Sequence, residues 1–128
     1  MPKIEVSVGE VIDKITILQI KQRHIKDTIK LKYIEEELNV LLEVLEAEEI
    51  NVSQDLVNEL RVINQQLWDT EDIIRDLEKR GEFDDEFIKH VRLDAKLNDQ
   101  RFLIKNKIND SKSMIKEQKS YEGLYTAN

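Results

Sequence analysis

Leucine and isoleucine recur at alternating steps of three and four residues through much of this chain, and that rhythm limits it to a few helical architectures. Leu31, Ile34, Leu38, Leu41 and Leu45 make one run. Leu56, Leu60, Ile63, Leu67, Ile74 and Leu77 make another, with Thr70 in the one polar slot. Such steps put the side chains on one stripe of an α-helix, the pattern of helices that pack lengthwise on each other. Turn residues are correspondingly scarce. There are 3 Gly and 1 Pro in 128 residues, and 37% of residues are charged, a composition that suits long helices and not a β protein. The length suits one compact domain.

Ile4, Val6 and Val8 alternate as a strand would, but Ser7 and Glu10 then have capping-box spacing and start a helix near Val8. Val8, Val11, Ile12, Ile15, Leu18 and Ile25 form its apolar stripe. Ile17 and Ile20 lie off that stripe, among Glu10, Asp13, Lys21 and His24. A surface helix is polar there, so this helix is expected at the centre of a bundle, with a small charged site shown to its neighbours. The helices are expected at about 8–26, 29–49, 54–80 and 85–119, followed by an irregular tail at 120–128. Ser53 and Asp84 are expected N-caps, and Lys79-Arg80-Gly81 reads as a C-terminal signature. The expected fold is an all-α antiparallel bundle or coiled-coil hairpin of four helices in one domain. Its last two helices would be about 40 and 50 Å long.

Net charge is −7, with 20 Lys and Arg interleaved among 27 Asp and Glu, which disfavours nucleic acid as a partner. The absence of cysteine excludes disulfides and thiolate metal sites. No apolar run approaches the roughly 20 residues of a membrane span, and the start does not read as a signal peptide, so a cytoplasmic protein is expected. Phosphate loops, nucleophile elbows and metal-binding histidine spacings are missing, and no cofactor or metal is expected. His24 and His90 read as surface or hydrogen-bonded core residues.

Two places break the apolar pattern. In the fourth helix Phe87, Val91, Asp94, Asn98, Arg101, Lys105 and Asn109 fall nearly on one line, polar from Asp94 onward. Phe102, Leu97, Ile104, Ile108 and Ile115 move the apolar contact to a neighbouring stripe. A solvated face is the plainer reading of the polar line, and a shared cavity the sharper one. In the third helix Trp68, Asp72 and Arg75 lie at i, i+4 and i+7 with Glu71 beside them. They read as a core tryptophan next to a surface ion pair, or as one wall of a pocket.

The runs Glu5 to Glu10, Ile12 to Leu18 with Lys21, Leu67-Trp68-Asp69, Glu71-Asp72, Ile74-Arg75, Gly81, Phe83 and Phe87 carry a resemblance. Asn98-Asp99, Arg101, Lys105, Ile108-Asn109 and Lys119-Ser120-Tyr121 continue it. Together they resemble an uncharacterised bacterial domain-of-unknown-function family, over nearly the whole chain. Gln22, His24 and Leu124-Tyr125 depart from its pattern. The resemblance implies a small, helical, cytoplasmic protein associated with genes for surface-polysaccharide or lipopolysaccharide synthesis, and implies no activity.

The polar residues singled out on both grounds are Asp13, Lys14, Glu71, Asp72, Arg75, Asn98, Asp99 and Arg101, with Trp68 beside them. Lys14, Arg75 and Arg101 would supply positive charge, and Asp13, Glu71, Asp72 and Asp99 would orient it. Such a cluster either fixes the bundle's register or binds something, and Arg75→Ala is expected to do more than an ordinary surface change. The expected function is a helical binding or assembly module in envelope-glycan synthesis rather than an enzyme. A homodimer or another protein is the expected partner, and a small anion the expected ligand. Two enzyme alternatives are an all-α chorismate-mutase-like site using Lys14, Lys21, Arg75 and Arg101, and a Mg²⁺-dependent all-α nucleotide pyrophosphohydrolase.

Overall fold

The computed structural model describes residues 1–116, with side chains as far as Ser111. The expected tail at 120–128, the residues around Lys119 and the side chain of Ile115 lie outside what is described. Among the described residues there are four helices and no strand: α1 (Val8–His24), α2 (Thr28–Ala47), α3 (Gln54–Lys79) and α4 (Asp85–Lys116). The alternating segment before α1 has no partner strand, and Ile4 and Val6 are exposed. None of these helices is long and apolar enough to cross a membrane.

The helix ends have local causes. Ser7 Oγ accepts from the Glu10 N–H at 3.2 Å. The polar break at Asp27-Thr28 is a cap: Asp27 Oδ1 accepts from the N–H groups of Ile29 and Lys30, so α2 starts one residue earlier than its pattern suggests. Ser53 is in the expected cap position before α3 but makes no side-chain cap bond. α3 ends as its sequence predicts. Gly81 has φ +67°, its N–H reaches the Glu78 carbonyl, and the Glu82 N–H reaches the Leu77 carbonyl. α2 ends with the same two bonds, from Glu49 to Glu46 and from Ile50 to Leu45, but here the left-handed residue is Glu49 at φ 53°. Asp84 caps α4 through the Glu86 N–H.

α1 packs against all three other helices, while α2 approaches only α1 among the described residues, and α3 and α4 form a long hairpin. This explains the isoleucines on more than one side of α1. Val11, Ile12, Ile15 and Leu18 join Ile34, Leu38, Leu60, Ile104 and Ile108 in the main core, and Ile20, 1% exposed, is covered as well. Moving from Gly9 to Glu10 to Asp13 on α1, the bonded partner on α4 moves from Asn109 to Lys105 to Arg101, so these helices run antiparallel.

Candidate functional site

Buried polar groups concentrate where α1, α3 and α4 meet. Asp13 is 1% exposed. Its Oδ1 accepts from Arg101 Nε at 2.9 Å and from Asn64 Nδ2 at 2.9 Å, and its Oδ2 pairs with Arg101 Nη2. Lys105 Nζ lies 3.7 Å away. Asn64 also donates to Thr16 Oγ1 at 2.8 Å, and Thr16 in turn donates to the Asp13 carbonyl. Burial alone would raise the Asp13 pKa. The hydrogen bonds from Arg101 and Asn64 and the charges of Arg101 and Lys105 outweigh it and hold the carboxyl below its ordinary value. The same bond from Asp13 raises the pKa of Arg101, against the opposing effect of burial. An uncompensated carboxylate at this depth costs several kcal/mol, so the pairing is a condition of α4 lying on α1.

Two further contacts extend this seam. Lys105 Nζ donates to Glu10 Oε2 at 2.6 Å, so the Glu10 carboxylate faces α4 and leaves the capping box half-made. Asn109 Oδ1 accepts from the Gly9 N–H at 2.7 Å, satisfying a backbone donor that the start of α1 leaves without an intrahelical partner. A methyl group on Gly9 would stand 2.6 Å from the Lys105 carbonyl oxygen, so the close approach depends on glycine. The polar line of α4 from Arg101 to Asn109 therefore faces α1 and is not a solvated face.

Next to this seam is a cavity of about 100 Å³. Ile17 and Ile20 of α1, Asn64, Leu67, Trp68 and Glu71 of α3, and Arg101 of α4 line it. Trp68 also stacks on His24, with ring centroids 5.1 Å apart. Behind Glu71 is Asp94. Burial first, then the hydrogen bond and charge of Asp94, raise the Glu71 pKa, against the pull of Arg75 and Arg101. Asp94 Oδ1 is buried with no hydrogen-bond donor among the described residues, while Asp94 Oδ2 accepts from Asn98 Nδ2 at 3.3 Å.

The nine residues singled out in the sequence divide into three groups. Asp13, Asn98 and Arg101 share one network, Asn98 accepting from Arg101 Nη1 at 3.4 Å. Trp68 and Glu71 line the adjoining cavity. Lys14, Asp72, Arg75 and Asp99 are exposed. Arg75 and Asp72 form a 3.7 Å surface pair with side chains 71% and 58% exposed, so Arg75 does not join the cluster expected of it. Asn64, Thr16, Gly9, Glu10, Lys105, Asn109 and Asp94 complete the arrangement without having been selected. Asn64 had a signal: with Leu60 and Leu67 it steps by four and three, a polar residue on a buried stripe. Lys105, Asn109 and Asp94 were on the polar line of α4, whose regularity was the clue.

A family model, described as a family of unknown function, matches residues 2–127. The chain belongs to this family, DUF6165. No curated protein and no solved structure matches it. Membership thus brings no activity with it, and any function has to be read from the geometry above.

Proposed function

We propose that this chain is a cytoplasmic, one-domain helical assembly module that works by binding a second copy of itself, in the service of envelope-glycan synthesis. The observation that carries the assembly reading is the outward face of α4. Ile88, Val91, Phe102 and Leu103 are 52%, 42%, 62% and 59% exposed, on the side of the helix opposite the buried Leu97, Ile104 and Ile108. A helix that only covers a core is polar on its outer face, whereas α4 carries two exposed apolar pairs there, Ile88 with Val91 and Phe102 with Leu103, about three helical turns apart. The glycan context rests on the family resemblance of the ordered residues alone.

The enzyme alternatives lack a gathered site. Of the four cations a chorismate-type site would use, Lys14 and Arg75 are exposed, Lys21 is half-buried, and Arg101 is bound to Asp13. Among the described residues no three His, Asp or Glu side chains converge to hold a metal ion.

Light scattering on size-fractionated protein over a concentration series tests the assembly reading, with a mass above that of the 15.2 kDa monomer expected at the upper end. A monomer at every concentration overturns it. For the glycan context, deletion of the gene is expected to alter the surface-polysaccharide profile of the host, and an unaltered profile overturns that part.

A further inference from the structure

We propose that the outward face of α2 is a docking surface for a basic amphipathic helix of another protein. The apolar stripe of that helix lies along Ile29, Tyr33, Val40 and Val44, and its Lys and Arg side chains meet Glu36, Glu37 and Glu43. The surface is separate from the outward face of α4, and a monomer carries it as well as a dimer.

α2 has two apolar stripes where a helix that only covers α1 needs one. Ile34 and Leu38 are buried in the main core, and Leu41 and Leu45 pack against it. Ile29, Tyr33, Val40 and Val44 lie on the opposite side and are between 40% and 68% exposed. They step by four, seven and four, so they fall within about 60° of one another around the helix, in the same rhythm as the buried stripe. Among the described residues α1 alone packs on α2, which leaves the second stripe uncovered. Its length is about 22 Å at about 1.5 Å per residue, the span of a four-turn helix laid alongside. α2 offers an extended peptide no sheet edge, whereas a helix repeats the three-and-four spacing of the stripe.

Charge decides which helix fits. Residues 33–60 hold nine of the chain's 27 Asp and Glu and none of its 20 Lys and Arg. Three of the nine border the stripe. Glu36 and Glu37 flank the gap between Tyr33 and Val40, and Glu43 stands beside Val44. All three are exposed, and among the described residues none is in an ion pair. Lys30 and Lys32 stand at the first turn only, beside Ile29. An uncharged apolar partner would cover these carboxylates without answering them, at a cost in desolvation. A second copy would set acid against acid, and an anionic bilayer would be repelled. A helix with Lys or Arg along the edges of its apolar stripe pairs with them, which is how flanking charges choose partners in coiled coils.

Three synthetic peptides test this on the full chain. The first, of about 21 residues, has Leu at the three-and-four positions and Lys beside them. The second has Glu in place of every Lys, and the third scrambles the first so that no stripe remains. Fluorescence anisotropy at about 0.15 M salt is expected to show saturation by the Lys peptide with a Kd of roughly 10–100 µM, since one helix face is a small interface. The Glu peptide is expected not to bind, and the scrambled one to bind at least roughly tenfold more weakly. Backbone amide shifts are expected along residues 29–44. Tyr33→Ser with Val40→Ser removes apolar contact and keeps every charge, and is expected to weaken binding roughly fivefold or more at an unchanged thermal midpoint. Glu36→Lys with Glu37→Lys is expected to move the preference toward the Glu peptide, while Phe102→Glu on α4 leaves binding as it was. No saturation by about 1 mM overturns the proposal. So does equal binding of the scrambled peptide, which means a bare charge effect. Shifts centred on Asp55, Glu59 and Val62 of α3 also overturn it, since they place the peptide on another acidic surface. Loss of self-association in the serine variant overturns it too, by making a second copy the occupant.

Discussion

Asp13 and Arg101 hold the strongest single interaction across the helix interface, and its loss is unequal to the loss of the surface pair on α3. Arg101→Ala leaves a carboxylate at 1% exposure with only Asn64 and a distant Lys105, which is expected to cost about 3–5 kcal/mol in urea unfolding. Arg75→Ala breaks a pair that is mostly in water and is expected to stay within about 0.5 kcal/mol. A reversed order of these two variants rejects the network as a structural element. The carboxyls also respond to pH in opposite senses. Asp13 has its folded pKa lowered, so its contribution is present above its ordinary value of 3.8 and is lost as pH falls through the folded one. Glu71 has its folded pKa raised, so its contribution is present below 4.5 and is lost as pH rises through the folded value. Glu71→Gln is therefore expected to gain stability relative to wild type as pH rises from 4.5 through the folded value, then hold that gain. Parallel stability curves for the two proteins count against a raised Glu71 pKa. At this scale the sequence was half legible. Asp13 was conspicuous because it shares the second side of α1 with Ile17 and Ile20, and Arg101 because it stands on a regular polar line of α4. Arg75 misled because an i,i+3 pair looks the same whether its stripe faces a neighbour or water.

The helices were easier to read than their mutual register. Heptad steps and caps locate α2 and α3 to within two residues, because capping and periodicity are local and written in adjacent residues. What faces what along α1 and α4 depends on residues about 90 to 100 positions apart, such as Glu10 with Lys105 and Gly9 with Asn109, and no local rule pairs them. Gly9 shows how packing overrides propensity. Alanine is the better helix former by about 1 kcal/mol, yet its methyl group meets a backbone carbonyl that has no rotamer to yield. Gly9→Ala is expected to destabilise by about 1–3 kcal/mol, with the Gly9–Asn109 bond lost. A stabilised variant means that α1 and α4 are not in close contact there. The opposite outcome is expected at the end of α2, where Glu49 occupies a left-handed position that costs a side-chain-bearing residue about 1–2 kcal/mol. Glu49→Gly relieves that strain and is expected to raise stability by roughly 0.5 kcal/mol after the added freedom of the unfolded chain is subtracted. A thermal melt on each variant reads the sign.

Among the described residues α2 and α4 each present a row of exposed apolar residues outward, and their charges separate them. The face of α2 away from α1 presents Ile29, Tyr33, Val40 and Val44, flanked by Glu36, Glu37 and Glu43. Lys30 and Lys32 stand beside it too, but carboxylates outnumber them, so two copies joined through it would set acidic excess against acidic excess, on a chain already at −7. The outward face of α4 has Ile88, Val91, Phe102 and Leu103 among Lys89, Arg92, Lys96, Asp85 and Asp99. Mixed signs allow that surface to meet its own copy in antiparallel register without net repulsion. Self-association is accordingly expected through α4, with the acidic α2 face left free. Phe102→Glu should return the protein to a monomer at concentrations where Val40→Glu does not, since only the first places a charge at the centre of the contact. Added salt should tighten the wild-type association, because the apolar contact is kept while repulsion between two acidic bodies is screened. If instead Val40→Glu dissociates the assembly and salt loosens it, an ionic contact of the α2 face holds the copies together and the assignment to α4 fails.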